Sequence, residues 1–160
     1  MNTRIDVRKY ISSNLTQALL KLSFESQKRL EHSLLKLVEI RASQINGCAY
    51  CLDMHTKDAR AAGETEQRIY ALSAWRETPF FTDRERAALE WTEAVTLVAE
   101  TRVPDDVYEQ VRQQFSEEEL VELTFAVIVI NSWNRLQVSF RPHVGDYQPK
   151  AAAAAVAVAV

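Results

Sequence analysis

Cys48, Cys51 and His55 lie in the stretch NGCAYCLDMH, residues 46–55, which holds both cysteines and one of the three histidines of the chain. Two thiols three residues apart, with an imidazole four residues further on, suit four kinds of chemistry. They can be metal ligands, a structural disulfide, a redox catalyst, or two buried thiols with no chemistry. On a helix turning about 100° per residue, Cys51 falls about 300° and His55 about 340° around the axis from Cys48, so all three share a sector of about 60°. The group would stand near the N-terminal end of that helix, where unpaired N–H groups favour an anion and lower a thiol's pKa from its free value of about 8.5. A histidine one turn on can take the proton, and the second thiol can trap an oxidised first thiol. These are the parts of a two-cysteine redox cycle running through sulfenic acid and disulfide. Zinc would use the same residue types, but a closed structural site wants four ligands. The fourth would have to be His32, His143 or a distant carboxylate, so neither a metal nor a cofactor is expected.

Glu39 stands upstream in the largely apolar run KLVEIRASQ. A buried carboxylate beside a histidine orients the ring or relays protons. The alternative is a solvated carboxylate paired with Lys36 or Arg41. In NSWNRLQ, Trp133 reads as core or subunit interface, with pocket lining as the alternative, while Arg135 could line a pocket and Asn131 or Asn134 could offer hydrogen bonds to it. His32 reads as a surface residue and His143 as solvated or interfacial. Trp75, Phe80 and Phe81 flank a loop and read as packing residues, with walling of the active site as the alternative.

The elements that must position these groups are helical. Leu15, Leu19 and Leu22 recur at helical spacing in NLTQALLKLSF. Leu30, Leu34, Leu37 and Ile45 do the same across residues 26–45. Asn46-Gly47 is a stop signal, because both residues tolerate the left-handed conformation that closes a helix. A new helix is predicted from about Cys48 to Gly63, and a short one over TEQRIYALSAW. Thr82 with Glu85, and Ser116 with Glu119, read as capping boxes opening the helices DRERAALEWTEAVTLVAE and ELVELTFAVIVINSWNRLQ. Pro104 precedes DDVYEQVRQQF as a helix-start residue. The run FAVIVI is β-branched, but its flanks are helical and no partner strand is evident. The expectation is an all-α single domain over residues 1–150 with about six to eight helices.

Composition narrows the function. With 160 residues, net charge −3 and 26% charged residues, the chain has no basic footprint for nucleic acid. Three Gly and four Pro are too few for an all-β fold built on tight turns. The charged start MNTRIDVRKY lacks the apolar segment of a secretory signal, and no stretch approaches a membrane span. Cytoplasmic placement is therefore expected, where a close cysteine pair is catalytic or metal-binding more often than a staple. The terminal AAAAAVAVAV, residues 151–160, is a two-residue-type low-complexity tail and reads as a placeholder or artefact.

The stretch EIRASQINGCAYCLDMHTKDAR resembles the core motif of the AhpD-like alkylhydroperoxidases of the carboxymuconolactone decarboxylase superfamily. LTFAVIVINSWNRLQVSFR resembles the closing helix of that group, where an Ile-Asn-x-Trp-Asn-Arg segment recurs. The resemblance runs from about Arg4 to Tyr147. It implies an all-helical, AhpD-like fold working as a homo-oligomer, commonly a trimer or hexamer. It also implies thiol-dependent, peroxiredoxin-type reduction of hydroperoxides, re-reduced by a dithiol or protein reductant. Under it Cys51 attacks the peroxide, Cys48 resolves as a disulfide and His55 assists proton transfer. Two positions depart from the pattern. The family glutamate, twelve residues before the first cysteine, is Lys36 here, with Glu39 one turn later on the same face. The histidine just before the second cysteine is Tyr50. Two other functions fit the sequence: lactone decarboxylase-like chemistry, which has no use for a dithiol, and a non-enzymatic redox-sensing or interaction module.

Overall fold

The computed structural model describes residues 2–149. The tail at 151–160 and the boundary expected at residue 150 lie outside the described residues. Among the described residues, eight α-helices and two short 3-10 segments make up the regular structure and there is no strand. A 3-10 turn at Val7–Tyr10 leads into α1 (Asn14–Glu25), α2 (His32–Ile45), α3 (Ala49–Ala61) and α4 (Glu66–Ala71). A second 3-10 segment, Leu72–Glu77, precedes α5 (Asp83–Thr96), α6 (Val98–Thr101), α7 (Asp105–Arg112) and α8 (Glu117–Phe140). The all-α class expected from the periodicity is the observed one, and FAVIVI lies within α8.

α2 is the central element and packs against α3, α5 and α8. One core layer gathers Leu34, Leu35 and Val38 of α2 with Ala88 and Trp91 of α5, and with Leu123 and Val127 of α8. A second sets Leu37 and Ile40, on the other side of α2, against Ala59, Leu72, Trp75, Phe81 and Leu89. Trp75 and Phe81 are thus core, and Phe80 packs on them. Burial on both sides makes α2 a rigid platform for any side chain it presents between the layers.

Both predicted capping boxes are present. Thr82 and Ser116 each accept from the backbone N–H three residues on, and Glu85 and Glu119 return a bond to the cap. Three boundaries differ from the sequence expectation. The stripe across residues 26–45 is not one helix: α2 starts at His32, and Ser26 closes α1 by donating its N–H to Leu22 O and Phe24 O. The predicted helix after Thr82 breaks at Leu97 before α6. The TEQRIYALSAW helix tightens into 3-10 geometry at Leu72. α1 also departs from expectation in packing, since it has no buried residue and Leu15 is 85% exposed. Its only substantial helix contact is α8, so its leucines roof the molecule rather than fill the core. No described helix is long and apolar enough to cross a membrane.

Candidate functional site

The turn between α2 and α3 is fixed by its own backbone. Gly47 adopts φ +64° just past the end of α2. Its N–H donates to Gln44 O at 3.2 Å, and Cys48 N–H donates to Ser43 O at 3.0 Å. This bond pair is a Schellman closure, which ends a helix at a left-handed residue. It leaves Cys48 extended (φ −84°, ψ 94°) as the N-cap of α3, so Cys48 precedes the helix rather than lying on it as the projection assumed. Cys48 Sγ accepts from Cys51 N–H at 3.3 Å. The two cysteines form a disulfide, with Cα atoms 5.3 Å apart, and each is 1% exposed.

α8 holds this turn from the other side. Asn46 Nδ2 donates to Asn131 Oδ1 at 3.0 Å, to Asn134 Oδ1 at 2.9 Å and to Ala42 O at 3.0 Å. Asn134 Nδ2 donates to Ser43 Oγ, and Asn131 Nδ2 to Thr96 Oγ1. Arg135 Nη1 donates to Asn131 Oδ1. The asparagines of NSWN therefore clamp the turn that carries the thiols, and neither is among the lining residues of the cavity beside them. Trp133 donates its indole N–H to Ser23 Oγ at 2.8 Å, tying α8 to α1.

Glu39 and His55 are both buried and meet across the α2–α3 interface, with His55 Nδ1 3.0 Å from Glu39 Oε2. No hydrogen bond of ordinary geometry joins the two atoms, and the contact is one of proximity and charge. The same Oε2 accepts from Lys36 Nζ at 2.9 Å, and Oε1 accepts from Gln27 Nε2 at 2.9 Å. Burial alone would raise the Glu39 pKa. The His55 ring and the Lys36 ammonium outweigh it and bring the carboxyl from 4.5 down to about 2. Glu39 is therefore a buried carboxylate with three partners, not a solvated surface acid. Lys36 is its counter-charge, as one sequence reading had it, but in a buried setting.

A cavity of about 330 Å³ opens beside this group, and Cys51, His55, Glu39 and Tyr50 line it. Cys48 is not among its lining residues. Leu35, Met54, Val129, Ile130 and Trp133 make most of the rest apolar. The N-terminal segment and α1 contribute Val7, Ile11 and Leu20. Pro142 and His143 come from the segment after α8. That segment is strapped along α3: Lys57 Nζ donates to Gly145 O and Tyr147 O, and Tyr147 donates its hydroxyl to Asp58 Oδ1 at 2.7 Å. Burial, then Asp58, Tyr50 and Glu39, push the Tyr147 phenol up to about 12. His143 is exposed and pairs with Asp146, and His32 is exposed at the start of α2.

All four sequence candidates, Cys48, Cys51, His55 and Glu39, are thus brought to one place. Sequence reading missed Gln27 and the strap residues Lys57 and Tyr147. Gln27 belongs to no repeating pattern and reaches Glu39 only because the chain turns between α1 and α2. Among the described residues no group of three or more His, Cys, Asp or Glu is placed to hold a metal ion.

The family model described as the Carboxymuconolactone decarboxylase family matches residues 13–94, from the N-cap of α1 into the last turn of α5. The uncharacterised Bacillus subtilis protein YdfG is 48% identical over 116 residues, covering 72% of this chain and 79% of its own. The crystal structure of ATU0492 from Agrobacterium tumefaciens, a protein of unknown function suggested to be an antioxidant defence protein AhpD, superposes with a TM-score of 0.87. It is 46% identical and covers 91% of this chain and 100% of its own. The debrominase Bmp8 shares the fold at TM-score 0.73 and 18% identity, covering 83% of this chain and 72% of its own.

Proposed function

We propose that this chain, which belongs to the carboxymuconolactone decarboxylase family, is a thiol-dependent peroxidase of the alkylhydroperoxidase kind. The observation that carries the reading is the Cys48–Cys51 disulfide set against a cavity that Cys51 lines together with the Glu39–His55 pair. A disulfide is the state such an enzyme reaches after each turnover, and the cavity gives an oxidant a path to one sulfur only.

The steps balance as follows. In the reduced protein His55 takes the Cys51 proton, and the thiolate attacks the terminal oxygen of a hydroperoxide. The S–O bond forms, the O–O bond breaks, and the departing alkoxide takes the proton back from His55 to leave as an alcohol. Cys51 is now a sulfenic acid. The Cys48 thiolate attacks the Cys51 sulfur and expels hydroxide, which leaves as water with the Cys48 proton. Cys51 N–H donates to Cys48 Sγ at the N-cap and holds the resolving sulfur beside Cys51. An external dithiol or a reduced protein partner then returns two electrons and two protons by thiol–disulfide exchange. Glu39 holds the His55 ring and balances its charge while it carries the proton.

The protein works as a homo-oligomer, a trimer or hexamer, in the cytoplasm. Support for assembly comes from large exposed apolar side chains, Leu15, Phe24, Phe125 and Ile128, on α1 and α8. The test of function is consumption of cumene hydroperoxide by the reduced protein with dithiothreitol as electron donor. Wild type turns over many equivalents, and Cys51→Ser turns over none. Oxidation to the disulfide with a change of assembly but no turnover would instead make the chain a redox sensor.

A further inference from the structure

We propose that Lys36 is a positioning residue of this site: its ammonium strengthens the preference of Glu39 for the carboxylate form and so helps keep the proton the site uses on the His55 ring. The proposal rests on the peroxidase reading for its role in turnover, but its structural part stands apart from it.

A buried carboxyl and a buried imidazole can share one proton in two ways. The proton sits on the ring, giving an ion pair, or on the carboxyl, giving two neutral groups. Burial favours the neutral arrangement, because desolvating two charges costs more than desolvating none. In that arrangement the ring has lost the proton that the departing alkoxide needs. The third group adds to the preference for the ion pair. Lys36 Nζ donates to Glu39 Oε2 at 2.9 Å, the same oxygen that stands 3.0 Å from His55 Nδ1. Its side chain keeps 21% of its surface in solvent, so its charge is still partly hydrated and cheap to maintain. Lys36 lies one turn before Glu39 on α2, a helix buried on both sides, so neither partner can drift.

Apart from the His55 ring itself, the other groups around the carboxylate do not supply this charge. Gln27 donates to Oε1 but is neutral. Tyr50 and His55 come from α3, and Tyr147 from the C-terminal strap, whose hydroxyl is committed to Asp58. Asp6 and His143 line the same cavity from the two ends of the chain. Arg41, the other cation of this stretch of α2, is engaged by Glu93 at 2.7 Å. An ordinary surface pair at this spacing would leave both groups free to separate. Here the acceptor oxygen is buried and already in contact with His55.

The test reads the Glu39 carboxyl directly, in the oxidised full-length protein. Protein labelled with ¹³C at the glutamate carboxyls is titrated by NMR, and Glu39 is assigned by the resonance lost in Glu39→Gln. Lys36→Met and Lys36→Gln should each raise the Glu39 titration midpoint by about one pH unit or more, a tenfold gain in proton affinity. Lys36→Arg, which keeps the charge, should hold it near the wild-type value. In turnover assays with cumene hydroperoxide, the acid limb of the kcat/KM profile should move up in Lys36→Met and return in Lys36→Arg. An unchanged Glu39 midpoint in both neutral variants overturns the proposal. A moved midpoint in a protein that consumes no hydroperoxide keeps the Lys36–Glu39 coupling and overturns the peroxidase reading.

Discussion

Asn46 Nδ2 donates to Asn134 Oδ1 at 2.9 Å, joining the turn just before the thiols to the last third of the last helix across 88 residues of chain. Asn134 is fully buried, and the Asn46 amide is the donor its carbonyl oxygen has. In Asn46→Ala that oxygen is left unpaired, and Asn131 Oδ1 keeps only its bond from Arg135. A buried acceptor stripped of its partner costs about 1–3 kcal/mol. Urea denaturation of the oxidised protein should show that loss as a lower midpoint with an unchanged slope. A second effect should follow at the site: Cys48 is anchored by the same turn, so the disulfide should be reduced faster by dithiothreitol.

Glu39 makes stability depend on acid pH in a direction its surroundings fix. Its folded pKa is about 2 against an ordinary 4.5, so the stabilisation is fully present above 4.5 and is lost as pH falls toward 2. Glu39→Gln keeps the bond-accepting oxygen but removes the charge. Its denaturation midpoint should lie below wild type at pH 6 and converge on it as the pH is lowered. In turnover, loss of the carboxylate that holds the His55 ring should lower kcat/KM by about a hundredfold, in the range of acid–base contributions. A variant whose midpoint stays parallel to wild type at every pH would place the acid sensitivity elsewhere.

Much of this was legible in the sequence, for local reasons. Capping boxes at Thr82 and Ser116, and the Asn46-Gly47 stop, are short-range signals whose partners lie within three or four residues. The grouping of Cys51 and His55 follows from helical spacing alone. The Glu39–His55 contact was half legible: the apolar flanks of Glu39 suggested burial, but its distance to α3 depends on how two helices cross. Gln27 and Tyr147 could not be read at all. One reaches the site through an irregular turn and the other through a strap after α8, and neither leaves a periodic trace. The leucines of α1 misled in the opposite way. They have the spacing of a core helix, yet the core was already filled by α2, α5 and α8, so α1 was left as a roof.

The two cysteines should behave differently when each is removed. Cys51→Ser removes the sulfur that lines the cavity and should abolish hydroperoxide consumption. Cys48→Ser should still react once, because Cys51 keeps its cavity and its neighbour His55. With no resolving thiol it should stall as a sulfenic acid, seen by mass spectrometry as one trapped dimedone adduct per chain. Equal stalling in the two variants would mean that the cavity does not select the attacking sulfur.

The strap after α8 should release at high pH before the rest of the fold. Arg141 ends α8 in a left-handed conformation (φ 52°), and Pro142 prevents the helix from resuming. Beyond it the chain is held to α3 by Lys57, by Gly145 N–H to Asp53 at 3.3 Å, and by the Tyr147–Asp58 bond at 2.7 Å. The Tyr147 phenol has its pKa raised from 10.0 to about 12. Its stabilisation is thus complete below pH 10 and is lost as pH rises through 12. Tyr147→Phe should cost little global stability, about 1 kcal/mol for one part-buried hydrogen bond. Limited proteolysis should nonetheless cut residues 141–149 several times faster than in wild type. Because Pro142 and His143 line the cavity, the same variant should change KM for a bulky hydroperoxide more than kcat. A strap that stays protected in Tyr147→Phe would mean that Lys57 and Asp53 hold it without the phenol.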